Sequence, residues 1–178
     1  MSKKILAFGA SSSKNSINKK LATFATNQID EAAVTILDLN DFEMPIYSID
    51  RENEQGIHPL ALQFKEQIKA TDGIIISFAE HNSSFTAAYK NIYDWVSRIG
   101  RNVWENKPMF LLATSPGGRG AKTVLDAAST AYERGNTNTI VTFSLPSFGE
   151  NFQEESGITE ATLLESFKTK LDVFQKAL

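Results

Sequence analysis

Between Asp72 and Ala79 the chain reads DGIIISFA, a short and almost wholly apolar run. A strand needs such a run when helices cover both faces of its sheet. Four more short runs lean the same way: Lys3–Gly9 (KKILAFG), Ala33–Leu39 (AVTILDL), Pro108–Thr114 (PMFLLAT) and Thr137–Leu145 (TNTIVTFSL). Helical spacing fills the gaps between them. Asn15–Ile29 carries Ile17, Leu21, Phe24, Ala25 and Ile29 on one stripe, and a second helix is expected over Leu60–Ala70. Ser84–Ile99 repeats Phe85, Ala88, Tyr89, Ile92, Val96 and Ile99, with Ser83 and Ser84 as the expected caps. Gly120–Arg134 turns Val124, Leu125, Ala128 and Ala131 inward, and Thr159–Leu178 is amphipathic. Asn40–Pro59 reads as polar and irregular, punctuated by Pro45, Gly56 and Pro59.

Strands alternating with helices imply an α/β fold, a parallel sheet wound on both sides by right-handed crossovers. A five-stranded unit of this length favours the flavodoxin-like order 2-1-3-4-5. At 178 residues, with no linker, repeat or low-complexity tract, residues 1–178 are expected to form a single domain. The net charge of −3 leaves no basic footprint for nucleic acid and no polybasic patch for a membrane. With no cysteine and only His58 and His81, thiol nucleophiles, disulfides and Cys- or His-rich metal sites are excluded. The apolar run Ile5–Phe8 is far too short for a signal-peptide core, so a cytoplasmic protein is the expectation.

In an open parallel sheet, ligands bind beyond the carboxyl ends of the strands, where the strand order reverses. The loops after strands one, three and four therefore carry the function. The first, Gly9–Asn18, holds four serines and two asparagines where a strand turns into a helix. A helix N-terminus offers free amides and the positive end of a dipole, and the hydroxyls of Ser11, Ser13 and Ser16 and the amide of Asn18 add neutral donors for a phosphate. It is neither the dinucleotide fingerprint nor a Walker loop. The second, Ala79–Phe85, sets Glu80, His81, Asn82 and Ser83 before a helix, donors and acceptors able to flank a planar heterocycle. The third, Thr114–Gly120, includes Ser115, Pro116, Gly117 and Gly118; its glycines let backbone approach a ligand closely and its amides can form an anion-binding nest. Arg119 there can reach a phosphate, a partner subunit or only water.

Together these loops resemble the NADPH-dependent FMN reductase family of flavin, quinone, azo-dye and chromate reductases. The likeness rests on GASSSKNSINKKLA (Gly9–Ala22), AEHNSSFTAAYKNIYDWVSR (Ala79–Arg98) and KPMFLLATSPGGRGA (Lys107–Ala121), with Ser-Pro-Gly-Gly at Ser115–Gly118 its most specific element. The resemblance implies that Ser11, Ser13, Ser16, Ile17 and Asn18 hold the FMN phosphate. It implies Glu80, His81, Asn82 and Ser83 along the ribityl chain and ring, and Ser115, Pro116, Gly117 and Gly118 at the pyrimidine side. It gives Lys90, Asn91 and Trp95 to the helix and a dimer interface. Many members carry arginine where this chain has Ser13, and proline and tyrosine around the glutamate where it has Ala79 and His81.

The expected function is an FMN-containing oxidoreductase that takes two electrons from NAD(P)H and passes them to a small acceptor by ping-pong kinetics. The flavin carries the chemistry, so no catalytic side chain and no metal are expected. The alternative is a flavodoxin-type electron carrier, or a flavin-binding protein without reductase activity. A receiver domain on the same fold needs clustered aspartates after strands one and three, and this chain has none there. The resemblance also implies a homodimer or homotetramer, for which Phe85, Tyr93, Trp95 and Trp104 are candidate apolar contacts.

Overall fold

The structure, a computed structural model, describes residues 2–178. The chain runs β1 (Lys4–Ala10), α1 (Ile17–Asn27), β2 (Ala33–Leu37), α2 (Ile49–Gln55), α3 (Pro59–Lys69) and β3 (Gly73–Phe78). A small hairpin follows, β4 (Glu80–His81) and β5 (Ser84–Phe85), and then α4 (Ala87–Ser97), β6 (Met109–Thr114), α5 (Lys122–Glu133) and β7 (Ile140–Leu145). The chain ends with α6 (Phe148–Asn151), a second hairpin of β8 (Phe152–Gln153) and β9 (Gly157–Ile158), and α7 (Ala161–Ala177).

The five long strands pair in parallel in the order β2-β1-β3-β6-β7, which is the expected 2-1-3-4-5. Every residue of β3 and β6 is buried, as their apolar runs require. On one face Leu6, Phe8, Ile74, Ile76 and Leu111 pack against α3, α4 and α5 through Phe64, Ile68, Tyr89, Ile92 and Val124. On the other, Ile5, Ile75, Phe110 and Phe143 meet α1 and α7 through Leu21, Ala25, Phe167, Leu171 and Phe174. Phe110 lies between Phe167 and Phe174, with ring centroids 5.6 and 6.0 Å away, so truncating it to alanine costs about 3–5 kcal/mol. Among the described residues no helix is long and apolar enough to cross a membrane.

Several expectations are corrected. The stretch 40–59 is not wholly irregular: a 3₁₀ turn spans Leu39–Phe42 and α2 follows. No residue of α2 is buried, so it has no apolar stripe to read; Ser48 caps it by accepting from Arg51 N, and Gly56 at φ 75 ends it. The helix expected from Ser84 begins at Ala87, because the hairpin takes Ser84 and Phe85. Its cap is Thr86, not Ser83 or Ser84: the Thr86 hydroxyl accepts from Tyr89 N and donates to Ala10 O at 2.9 Å. In α5 Ala131 is exposed and Tyr132 is buried instead, its hydroxyl bonded to that of Tyr89; burial pushes both tyrosine pKa values up.

Trp95 and Trp104 are buried in the core and are not free for a partner. The Trp95 indole donates to Pro45 O at 2.8 Å, and the Asn91 side chain bonds Tyr47 N, Met44 O and Pro45 O. These two residues therefore hold the segment after β2 onto α4. Lys90 pairs with Asp94 along the same helix.

Candidate functional site

The carboxyl ends of β1, β3 and β6 meet at the point where strand order reverses, and a cavity of about 220 Å³ opens there. From the first loop it is lined by Ser11, Ser13, Ser16, Ile17 and Asn18, as expected, and also by Asn15. Glu80 and His81 line it from the second loop, with Ala79, and Ser115 and Pro116 from the third, with Thr114. Asn15, Ala79 and Thr114 were missed. Each adjoins an expected residue, and the backbone turn alone decides that it faces inward.

The first loop is a set of donors. The Ser16 hydroxyl accepts from Lys19 N at 3.1 Å and caps α1, and the Ser11 hydroxyl accepts from Ser13 N at 3.1 Å. A hydroxyl that accepts from backbone keeps its own proton to donate. The amides of Ile17 and Asn18, in the first turn of α1, make no hydrogen bond within the chain among the described residues. Amides, hydroxyls and the positive end of an 11-residue helix thus converge on one spot.

Asn18 differs from the expectation. Its side chain is 2% exposed and engaged at both ends: Nδ2 donates to Thr114 O at 3.1 Å, and Oδ1 accepts from Thr114 N at 3.1 Å and Ser77 Oγ at 2.7 Å. A buried amide must be satisfied, and here the protein does it. Asn18 offers a ligand its backbone N–H, while its side chain ties α1 to β3 and β6.

The second loop is the hairpin. Asn82 and Ser83 at its tip have φ 52 and 60, the two left-handed positions of a two-residue turn. They are exposed and lie outside the cavity lining. Serine tolerates this conformation poorly, so the turn stores strain at the site. The Glu80 carboxylate does not face the cavity as a free group: it accepts from Val124 N at 2.9 Å. It thereby caps α5, whose own N-cap, Ala121, makes no side-chain bond.

In the third loop Gly117 and Gly118 also lie outside the lining. A Cβ built on either meets nothing within 4 Å, so nothing inside the chain demands glycine there. Gly120 is the opposite: at φ +57, its Cβ would fall 2.3 Å from Ser144 Oγ and 2.9 Å from Pro146 N. The Gly117 carbonyl accepts from Gly120 N at 3.2 Å and Ser147 N at 3.0 Å, which leaves the outer face of the turn open. Arg119 is exposed and donates to Thr123 Oγ1 at 2.6 Å, away from the cavity. Among the described residues no group of three or more histidines, aspartates or glutamates is arranged to hold a metal ion.

The model of the NADPH-dependent FMN reductase family matches residues 3–149, which takes in all three loops. The chain belongs to this family. It is 34% identical over 122 residues to a 2-hydroxy-1,4-benzoquinone reductase of a Burkholderia species, covering 67% of this chain and 64% of that one. It is 31% identical over 109 residues to a quinone reductase of Pseudomonas putida, covering 60% of this chain and 57% of that one. The chain thus spans less than two thirds of the length of these curated relatives. Its fold is that of the FerB flavoenzyme, an NAD(P)H:(acceptor) oxidoreductase from Paracoccus denitrificans, with a TM-score of 0.77 at 23% identity, over 98% of this chain and 96% of that one.

Proposed function

We propose that the protein is an NAD(P)H-dependent FMN oxidoreductase that passes two electrons to a small acceptor such as a flavin, a quinone or an azo compound. The observation that carries this reading is the pairing of the donor-rich turn into α1 with an open glycine turn after β6. The first fits a phosphate monoester, and the second leaves room where a Cβ would intrude on a flat ligand. The residues fit FMN on that ground.

When bound, FMN supplies the two-electron chemistry. The Ile17 and Asn18 amides and the hydroxyls of Ser11, Ser13 and Ser16 hold its phosphate. Glu80 and His81, which line the cavity, flank the ribityl chain and ring, and Asn82 and Ser83 reach a bound ring only from the exposed tip of the hairpin. Ser115, Pro116, Gly117 and Gly118 present backbone to the pyrimidine edge, where amides favour negative charge. No side chain needs to act as nucleophile or base. The acceptor class draws support from the quinone reductases among the relatives. A homodimer or homotetramer in the cytoplasm completes the reading. Ile46, 77% exposed, and Ile49, on the segment after β2, are apolar groups a second copy would cover. A monomer at micromolar concentration in sedimentation overturns the oligomer.

The test is a visible spectrum of the purified protein with and without added FMN, followed by anaerobic NADPH and then NADH. Flavin bands that bleach with either nucleotide support the reductase. A bound flavin that neither nucleotide bleaches marks an electron carrier, and failure to bind FMN overturns the cofactor.

A further inference from the structure

Another cavity, of about 210 Å³, opens between the C-terminal ends of α4 and α5 and the segment that leads into β6. It sits at the amino ends of β6 and β7, so it lies at the opposite end of the sheet from the candidate flavin cavity. Tyr93, Trp104 and Tyr132 form its aromatic wall, and Arg101 and Arg134 are its charged groups. The three rings adjoin one another, with centroids 5.2, 5.6 and 6.0 Å apart.

The fold holds these walls in place. Lys65, 2% exposed, reaches from α3, donates to Asn102 O at 2.6 Å and Val103 O at 2.8 Å, and pairs with Glu105 at 2.6 Å. The segment before β6 is also tied to the one before β7. Asn106 Oδ1 accepts from Thr137 N at 2.7 Å, and the Asn136 side chain donates to Lys107 O at 2.8 Å. A cavity framed in this way exists before any ligand arrives, which lowers the cost of binding.

Its charge and its hydrogen bonding are both incomplete. The lining holds two arginines and no carboxylate. Arg101 and Arg134 are exposed and make no ion pair among the described residues. The nearby acids are engaged elsewhere: Glu105 with Lys65, and Glu133 with the Ser129 hydroxyl at 2.8 Å. Trp104, 4% exposed, carries the one buried side-chain polar atom without a partner among the described residues, its indole N–H. A buried donor left unpaired costs about 1–3 kcal/mol, and an acceptor brought by a ligand would relieve it. A carboxylate meets guanidinium in a planar, bidentate way and brings acceptor oxygens, and a flat ring suits the aromatic wall. The volume is below that of a cofactor site and suits a ligand of one ring.

We propose that this cavity binds a small aromatic carboxylate of one ring, its carboxylate at Arg101 and Arg134 and its ring against Tyr93, Trp104 and Tyr132. The inference stands on this cavity alone and does not rest on the reductase reading.

Isothermal titration of the protein as purified with benzoate, acetate and benzyl alcohol tests this, with tryptophan emission as a second readout. Benzoate is expected to bind about tenfold more tightly than acetate, which lacks the ring, or benzyl alcohol, which lacks the charge. The preference over the alcohol is expected to shrink as salt rises. Trp104 is one of only two tryptophans, so emission is expected to change as benzoate binds. Arg101→Gln and Arg134→Gln each weaken benzoate about fivefold and leave FMN affinity unchanged. Both arginines are exposed, so neither change threatens the fold. Equal binding of the three probes, benzoate binding that survives both substitutions or leaves emission unchanged, or competition by FMN overturns the assignment. So does an oligomer that the substitutions dissociate while benzoate stays inert, since the anion would then be a carboxylate of a second copy.

Discussion

The side chain of Asn18 grips the backbone of Thr114 at both polar groups, giving a hydrogen bond to its carbonyl and taking one from its N–H, each at 3.1 Å. The helix that follows the serine-rich loop is thus fastened to the strand that leads into the glycine loop. Ser77, on the strand between, closes the link at 2.7 Å. Asn18→Ala strips three bonds from a buried place and leaves their partners unpaired. The expected cost is about 3 kcal/mol, from the usual penalty of unsatisfied buried groups. Urea unfolding measures it. FMN titration of the same variant is expected to show weaker binding, since the two loops lose their shared anchor. A variant that is destabilised but binds FMN unchanged would mean that the tie serves stability alone.

That link shows where sequence reasoning stops. The five strands were legible because a doubly covered sheet demands apolar runs; their alternation with helices implied a parallel sheet but not its order, which the length of a five-stranded unit only favoured. The three loops stood out because ligands of an open parallel sheet bind beyond the strand ends at a switch point. The role of Asn18 was not, because an amide beside a serine-rich turn reads equally well as a ligand donor or as a brace. Only its contact with Thr114, 96 residues away, decides between them. The cap that Glu80 gives α5 was hidden for the same reason, since its partner Val124 is 44 residues on. The hairpin at Glu80–Phe85 was hidden because its tip is Asn82-Ser83 rather than the Asn-Gly that marks such turns. The segment after β2 was hidden because what orders it, Asn91 and Trp95, lies on α4.

The glycines of the third loop should separate cleanly under substitution. Gly120→Ala puts a Cβ 2.3 Å from Ser144 Oγ at a positive φ and is expected to destabilise the fold by about 2 kcal/mol or more. Gly118→Ala meets open space and is expected to leave stability level or up to about 1 kcal/mol higher, because alanine restricts the unfolded chain. On the proposed function the same Gly118→Ala weakens FMN. Thermal melts of the two apoproteins, with FMN titration of the second, check the contrast. Equal melting temperatures for both variants would remove the distinction between structural and ligand-facing glycine.

On the proposed function the serine-rich loop holds the FMN phosphate with neutral donors, and this makes a gain of affinity available. Ser13 is exposed at the cavity and offers one hydroxyl. Ser13→Arg supplies a charged fork with room to swing, and charge-assisted bonds to phosphate are roughly twice as strong as neutral ones. FMN is expected to bind about tenfold more tightly, with the gain shrinking as salt rises. Ser16→Ala goes the other way: it removes the cap of α1, worth about 1 kcal/mol, together with one phosphate donor. Fluorescence quenching of FMN on titration reads both. An arginine at position 13 that leaves affinity unchanged would place the phosphate elsewhere.

Asp38 gives the fold a pH dependence whose direction is fixed. Lys19 beside it, with help from the Asn40 amide, lowers its pKa from 3.8 to about 2. The folded state therefore favours the carboxylate, and this stabilisation is complete above a pH of about 4 and lost as pH falls through about 2. Both side chains of the pair are about a third exposed, so the gain is much reduced by water and comes to about 1 kcal/mol. Asp38→Asn is expected to lower stability by that amount at neutral pH. The gap should close near pH 2, where the native carboxyl is protonated too. Urea unfolding of both proteins across this range measures the gap at each pH. A gap that persists at low pH would show that Asp38 acts through its bonds to Asn40, which asparagine partly keeps, and that the charge of Lys19 contributes nothing to holding β2 beside α1.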